Sequence, residues 1–252
     1  MCVVPCLRNA AGMTQPRAQI VRPNADGIYH CITRCVRRAW LCGQDLLTDR
    51  PFHHRRQWIE DRLGALAEAY AVSIWAYAVM SNHVHVVIEV RASAAETWSD
   101  EEVAERWLKV YPPPAPDLAQ RKQNLIAQPE RIAVLRNRLR SLSWFMKSLN
   151  EPIAKRANRE DGCKGHFWEA RYTSQALLDE AAVLAAMAYV DLNPIRATMT
   201  DSLEGSLHTS IARRVAQLSK KTKRTAATKR GEAGNGLTPP TQGDAAAQIA
   251  PV

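Results

Sequence analysis

His83 and His85 stand one residue apart in the segment HVHVVIEV, residues 83–90. On a strand, residues i and i+2 point to the same face, so the two imidazoles would stand side by side. Val84, Val86, Ile88 and Val90 would then fill the opposite face as core. Two adjacent imidazoles, each offering one neutral ring nitrogen, suit a divalent metal. The plainer alternative is a pair of surface histidines on an edge strand. Val87 stands where a metallo-hydrolase of the HxHxD kind needs an acid, and where a histidine-triad hydrolase needs a third histidine. Walker A, GxGxxG and HExxH patterns are all missing. The other ligands of such a site must therefore come from elsewhere in the chain.

The run DEAAVLAAMAYVDLNP from Asp179 is the natural supplier. It is Ala-rich and reads as a helix that ends near Asn193-Pro194. Tyr189 and Asn193 lie four apart on it, on one face and about one turn from each other. Asn193 offers an amide oxygen, usable as a third ligand to a hard cation, and Tyr189 offers a phenol close by. Taken singly, Tyr189 also reads as an amphipathic core residue and Asn193 as a helix-terminal cap. Tyr172 and Gln175 mimic the pair, but three apart on a strand they face opposite sides. Tyr29 and Tyr77 read as sheet residues; His30, on the first strand, either lines the active face or, the plainer reading, packs there. His53 and His54 open a helix with Arg55 and Arg56, a solvated or DNA-facing surface. Cys31, Cys35 and Cys42 with His30 match no common zinc spacing, and the six cysteines read as free thiols in a reducing cytoplasm.

The elements that must position these groups follow from pattern. GIYHCITRCV (27–36) is a strand after the Asp26-Gly27 turn signal, and residues 54–71 place Ile59, Leu63, Leu66 and Tyr70 at helical spacing. SIWAYAVM (73–80) and HVHVVIEV form a hairpin across Ser81 and Asn82. Residues 91–130 interrupt with a short acidic helix and a Pro-rich loop. One long helix is expected to carry Ile132, Leu135, Leu139, Leu142, Met146 and Leu149, and residues 165–178 one or two strands. The order strand–helix–strand–strand–helix–strand, then a further helix, gives an α+β fold. It is a ferredoxin-like antiparallel sheet with helices on one face, plus a C-terminal helix.

The 252 residues fit one domain with tails: an N-terminal arm over 1–24, a domain over 25–212 with its insertion at about 91–130, and a basic, disordered tail over 213–252. The net charge of +9 belongs mostly to that tail. Eight basic residues fall in 213–230, among them Arg213, Arg214, Lys220, Lys221, Lys223 and Arg224, leaving 26 basic against 23 acidic residues before it. No apolar run reaches the ~18 residues of a membrane helix. The opening residues show no basic segment followed by a long apolar one, so no signal peptide is expected and the location is cytoplasmic.

AYAVMSNHVHVVIEV resembles the segment around the HUH motif of single-tyrosine transposases. GHFWEARYTSQALLDEAAVLAAMAYVDLNPIRA is similar to the C-terminal signature of their REP-associated branch, with its Tyr-x-x-x-Asn-Pro arrangement. GIYHCITRCVRRAWLCG is similar to that family's first strand and basic loop. The resemblance spans roughly residues 27–90 and 131–200, and departs at Ser81, where many members carry Pro. It implies His83, His85 and Asn193 as metal ligands, Tyr189 as nucleophile, and Mg2+ or Mn2+ as the ion, whereas imidazole softness alone favours Zn or Mn. It also implies single-stranded or hairpin DNA as the partner, with Arg34, Arg37 and Arg38 after the first strand contacting phosphate, and a chain acting as a monomer or homodimer. The implied activity is endonuclease and strand transfer through a 5′-phosphotyrosine. The alternatives are a domesticated DNA-binding or regulatory protein, and an unrelated zinc-dependent hydrolase.

Overall fold

The computed structural model describes residues 20–36, 41–43, 49–114, 117–203 and 205–219. Four strands, β1 (Gly27–Arg34), β2 (Val72–Val79), β3 (His83–Val90) and β4 (Thr173–Leu177), form one sheet in the order β2-β3-β1-β4. Every neighbouring pair is antiparallel. Helix α1 (Arg55–Ala69) joins β1 to β2, and α5 (Leu142–Glu160) precedes β4. This is the ferredoxin-like topology that the order of periodicities predicts. Between β3 and α5 the chain adds α2 (Asp100–Val110), α3 (Leu118–Ile126) and α4 (Pro129–Leu139); after β4 comes α6 (Glu180–Arg196). A last helix, α7, spans 210–219.

Strand alternation divides the sheet into two chemically different faces. Tyr29, Cys31, Val84, Val86, Ile88 and Val90 face α1 and α5, where Ile59, Leu63, Leu66, Phe145, Met146 and Leu149 complete the main core. Val103 and Ala104 of α2 and Leu135 and Leu139 of α4 join the same core, so the inserted helices form an added layer on this side. On the other face Ala76, Ala78, Met80, Val87 and Leu177 pack against Val183 and Val190 of α6. The C-terminal helix thus lies across the sheet from α1 and α5. Trp75 is the extra residue of a bulge in β2 between Ile74 and Ala76, and its indole N–H donates to Glu89 Oε2 at 3.2 Å.

Three expectations need correction. The long helix over 131–149 is two helices, because Ser141 is extended (φ −105, ψ 122) and its hydroxyl accepts from Trp144 N at the start of α5. Residues 165–178 hold one strand, Thr173–Leu177, within the one or two expected, and Trp168 makes a single bridge to Cys35. Helix α6 does not stop at Asn193-Pro194 but runs to Arg196, and backbone bonds from Ala197 and Met199 to Asn193 O and Pro194 O carry its end further. Pro194 removes one N–H in the last turn, and burial of both Asn193 and Pro194 outweighs that loss. The basic tail does not begin at 213, because residues 213–219 are helical. Pro152 inside α5 shows how such a lost bond is made good: Arg62 Nε donates to the Ser148 carbonyl, four residues earlier, at 3.0 Å. Most of the expected N-terminal arm, residues 1–19, lies outside the described residues.

Candidate active site

The α6-facing side of β3 begins with His83 and His85, whose ring centroids are 4.8 Å apart. In the antiparallel register His83 lies opposite Arg34 and His85 opposite Ile32 on β1, with Ala78 beside His85 on β2. His30, two residues before Ile32, shares this face. Its Nε2 and His85 Nδ1 share a hydrogen bond at 3.0 Å, and the two rings stack at 5.2 Å. His83 Nδ1 lies 2.6 Å from Asn82 Oδ1.

Helix α6 delivers the other groups from more than a hundred residues away. Asn193 Nδ2 lies 3.3 Å from His85 Nε2. Because α6 continues past Pro194, Asn193 is an interior helical residue that aims its amide at the sheet, rather than an end cap. One turn earlier, the Tyr189 ring stands 5.7 Å from that of His85 and 6.1 Å from that of His30. Two turns after Tyr189, the Arg196 guanidinium lies 5.4 Å from the phenol ring. Tyr189, His83, His85 and Asn193 therefore converge on one patch of the sheet.

Burial sets the protonation of this cluster. It pulls His30 and His83 down to about 4 and His85 to about 2; the Arg34 charge adds to the shift of His83, and those of His83, His30 and Arg34 to that of His85. All three rings are neutral at neutral pH, the form an imidazole needs to give a lone pair to a cation. Two such rings on adjacent same-face positions, with a carboxamide beside one of them, fit a divalent ion as donor set. Among the described residues no group of three or more His, Cys, Asp or Glu is arranged to hold a metal ion.

Other candidates fall elsewhere. Tyr172 is buried on the helix-covered side beside Ser143, whose hydroxyl lies 3.2 Å from its own, so it is remote from the imidazole face. Cys31, Cys35 and Cys42 are buried in the main core, across the sheet from His30, so the three thiols and that ring cannot share an ion. Arg55, expected at a solvated or DNA-facing surface, is fully buried and pairs with Glu160 and Asp161 at the end of α5, and His54 also reaches Glu160. Arg34 is exposed at the rim of the imidazole face. Arg213 and Arg214, expected to meet DNA, turn onto Glu60 and Asp191 of the fold itself. Arg37, Arg38, Lys220, Lys221, Lys223 and Arg224 lie outside the described residues.

Sequence reading offered His30 as lining the active face but favoured packing, and did not weigh Arg196. Arg196 is legible as Tyr189 plus seven, the same helical face. Fixing the contact of His30 with His85 required knowledge that β1 pairs with β3 in the register that sets Ile32 opposite His85.

No helix among the described residues is long and apolar enough to cross a membrane. No protein-family model matches the chain, and no curated protein matches it. Among solved structures, the chain is similar to a REP-associated tyrosine transposase bound to a REP hairpin, with a TM-score of 0.42 and 14% identity over 81% of this chain and 86% of that one.

Proposed function

We propose that this protein is a metal-dependent single-stranded DNA endonuclease and strand transferase that uses Tyr189 as its nucleophile, with hairpin DNA as its substrate. The observation that carries this reading is the meeting of a phenol, two neutral imidazoles and a carboxamide from two distant chain segments, with Asn193 at 3.3 Å from His85 and the Tyr189 ring at 5.7 Å. His83, His85 and Asn193 would hold a Mg2+ or Mn2+ ion. When bound, that ion neutralises phosphate charge and stabilises the leaving oxygen.

The chain's own residues do the rest. Tyr189 Oη forms a bond to phosphorus as the bond from phosphorus to the 3′-oxygen breaks. The phenol proton leaves to solvent, and the departing strand takes up a proton as a free 3′-hydroxyl. The 5′-phosphate stays on Tyr189, so the bond energy is kept for religation to another strand. Arg196, beside the Tyr189 ring, and Arg34, opposite His83, would hold backbone phosphates.

The test is a 3′-labelled oligonucleotide with a hairpin and a single-stranded flank, incubated with the protein and Mn2+. A protein–DNA adduct that survives denaturation is expected, lost with chelator and in Tyr189→Phe, and kept in Tyr172→Phe. Binding without any adduct would instead favour the DNA-binding or regulatory reading. Metal-dependent ester hydrolysis without an adduct would favour the zinc hydrolase. An adduct mapped to Tyr172 would refute the assignment of the nucleophile.

A further inference from the structure

We infer that His30 and Asn82 are positioning residues that lock His85 and His83 into the tautomers a cation requires; this rests on the metal-site reading above. A neutral imidazole carries its proton on one nitrogen and a lone pair on the other, and the free ring in water interchanges the two. Only the nitrogen with the lone pair can bind a cation. A site built from neutral rings therefore needs something to choose the nitrogen.

For His85 the choice is made from both ends. Asn193 Nδ2 is a donor and lies 3.3 Å from His85 Nε2, so Nε2 holds the lone pair. The single proton of His85 is then on Nδ1, and it is donated to His30 Nε2 at 3.0 Å. His30 must accept at Nε2 and so carries its own proton on Nδ1. For His83 the choice comes from its neighbour in sequence: Asn82 Oδ1 can only accept, so His83 Nδ1 carries the proton donated to it at 2.6 Å. Both rings are thus held with Nδ1 protonated and Nε2 unprotonated. The same Nε2 of His85 that faces Asn193 is the atom offered to a cation, and the Asn193 side chain carries an amide oxygen on the same group.

His30 is suited to this task by its place. It is buried on the central strand β1, stacked on His85, and lies directly beside β3. An acceptor whose ring stacks on His85 and meets the Tyr189 ring edge-on fixes the orientation of His85 as well as its proton. Partners of this kind, one step removed from the cation, typically change metal affinity 10–100-fold when removed.

Two measurements on the full chain test the inference. The first is a long-range 1H–15N spectrum of the imidazoles in metal-free protein. In the wild type, His85 and His83 should both show protonated Nδ1 and unprotonated Nε2. In His30→Ala, His85 should move toward the Nε2-protonated form while His83 stays; in Asn82→Ala, His83 should move while His85 stays. The second is titration with Mn2+ alone, read by the loss of the free-ion paramagnetic resonance signal. His30→Ala should bind about 10–100-fold more weakly. His30→Gln, whose amide oxygen accepts the same Nδ1 proton, should restore both the tautomer and most of the affinity. A ring that served only as packing would not be rescued this way. His85 found protonated on Nε2 in the wild type, or Mn2+ affinity unchanged in a folded His30→Ala, overturns the inference. Correct tautomers in a wild-type protein that binds no Mn2+ would instead overturn the metal-site reading.

Discussion

Helix α6 is held against the sheet by one charged clasp, and Arg214→Met should measure it. Asp191 lies between Tyr189 and Asn193 in sequence and points away from the imidazoles. Ser210 donates to its Oδ1 at 2.8 Å, and the Arg214 guanidinium pairs with its Oδ2 and donates to the Trp75 carbonyl at 2.8 Å. Ser210 in turn bonds both backbone groups of Tyr77. Breaking a fully buried ion pair from one side costs about 3–5 kcal/mol, since the other charge stays behind. Here the Asp191 side chain is 12% exposed, that of Arg214 26%, and Ser210 remains as a donor. The cost should fall to about 2–3 kcal/mol. For a domain of this size that is a drop in Tm of about 4–12 °C.

The pH dependence gives this prediction its own signature. Burial holds the Asp191 carboxyl above its ordinary range, although Ser210 and Arg214 pull the other way. Without Arg214 it rises further. A carboxyl whose folded pKa exceeds its unfolded value favours folding most below the unfolded value, and that contribution is lost as pH rises through the folded one. The deficit of Arg214→Met should therefore be largest at pH 7 and shrink toward pH 4. Urea unfolding followed by tryptophan fluorescence at both pH values reads it. Arg213→Met is the control: its pair with Glu60 is 3.4 Å long and Arg213 is half exposed, so it should cost no more than about 1 kcal/mol. Equal effects of the two substitutions, or a deficit that does not shrink in acid, would refute the clasp.

Three more outcomes are expected. Asp179 caps α6 by accepting from Ala182 N at 2.7 Å, so Asp179→Ala should cost about 1 kcal/mol in urea unfolding and Asp179→Asn almost nothing. Burial alone would raise Glu60, but hydrogen bonds from His208 and Tyr77 and the Arg213 charge outweigh it and hold its carboxyl below the ordinary 4.5. Stability from a depressed carboxylate is present above the unfolded pKa and lost as pH falls through the folded one, so Glu60→Gln should flatten the fall in Tm below about pH 4.5. Removing residues 220–252, which carry Lys220, Lys221, Lys223 and Arg224, should leave Tm unchanged and lower the slope of log K against log salt in hairpin-DNA binding. Removal from residue 213 should also unfold the clasp, and equal Tm values for the two truncations would contradict it.

The sheet was legible in sequence because its strands alternate clearly: HVHVVIEV assigns each side chain to a face before any partner is known. The helix break at Ser141 was not, because apolar residues continue in near-helical step from Leu139 to Leu142, and only a serine at the junction signals a new start. Pro194 misled for the opposite reason. A local rule that ends helices at Pro is overridden when the turn containing it is buried against a sheet. Arg213 and Arg214 read as tail because a run of cations with no acids nearby in sequence looks solvated. Their partners, Glu60 and Asp191, are distant along the chain. For the candidate site, the residues that identity alone suggests, His83, His85, Tyr189 and Asn193, come together, whereas His30 depends on strand order and could be placed only by the fold.

What allows a helix to approach the imidazoles so closely is the absence of side-chain bulk between them. On β2 the residues facing α6 are Ala76 and Ala78, both fully buried, and Ala78 sits directly beside His85 in the register. On α6 the residues packed on this face are the buried Val183 and Val190, with Ala182, Ala186, Met187 and Tyr189 partly buried beside them. With only alanine methyls on this part of β2, a short side chain such as Asn193 can reach the sheet. Leucines at the same places would hold the helix farther off, and Asn193 would no longer lie at 3.3 Å from His85. The opposite face needs no such approach and is filled with Phe, Leu, Ile and Val. The Ala-rich composition of DEAAVLAAMAYV favours helix formation, whereas the room in which a phenol and a carboxamide meet two histidines is left by the short Ala76 and Ala78 of β2.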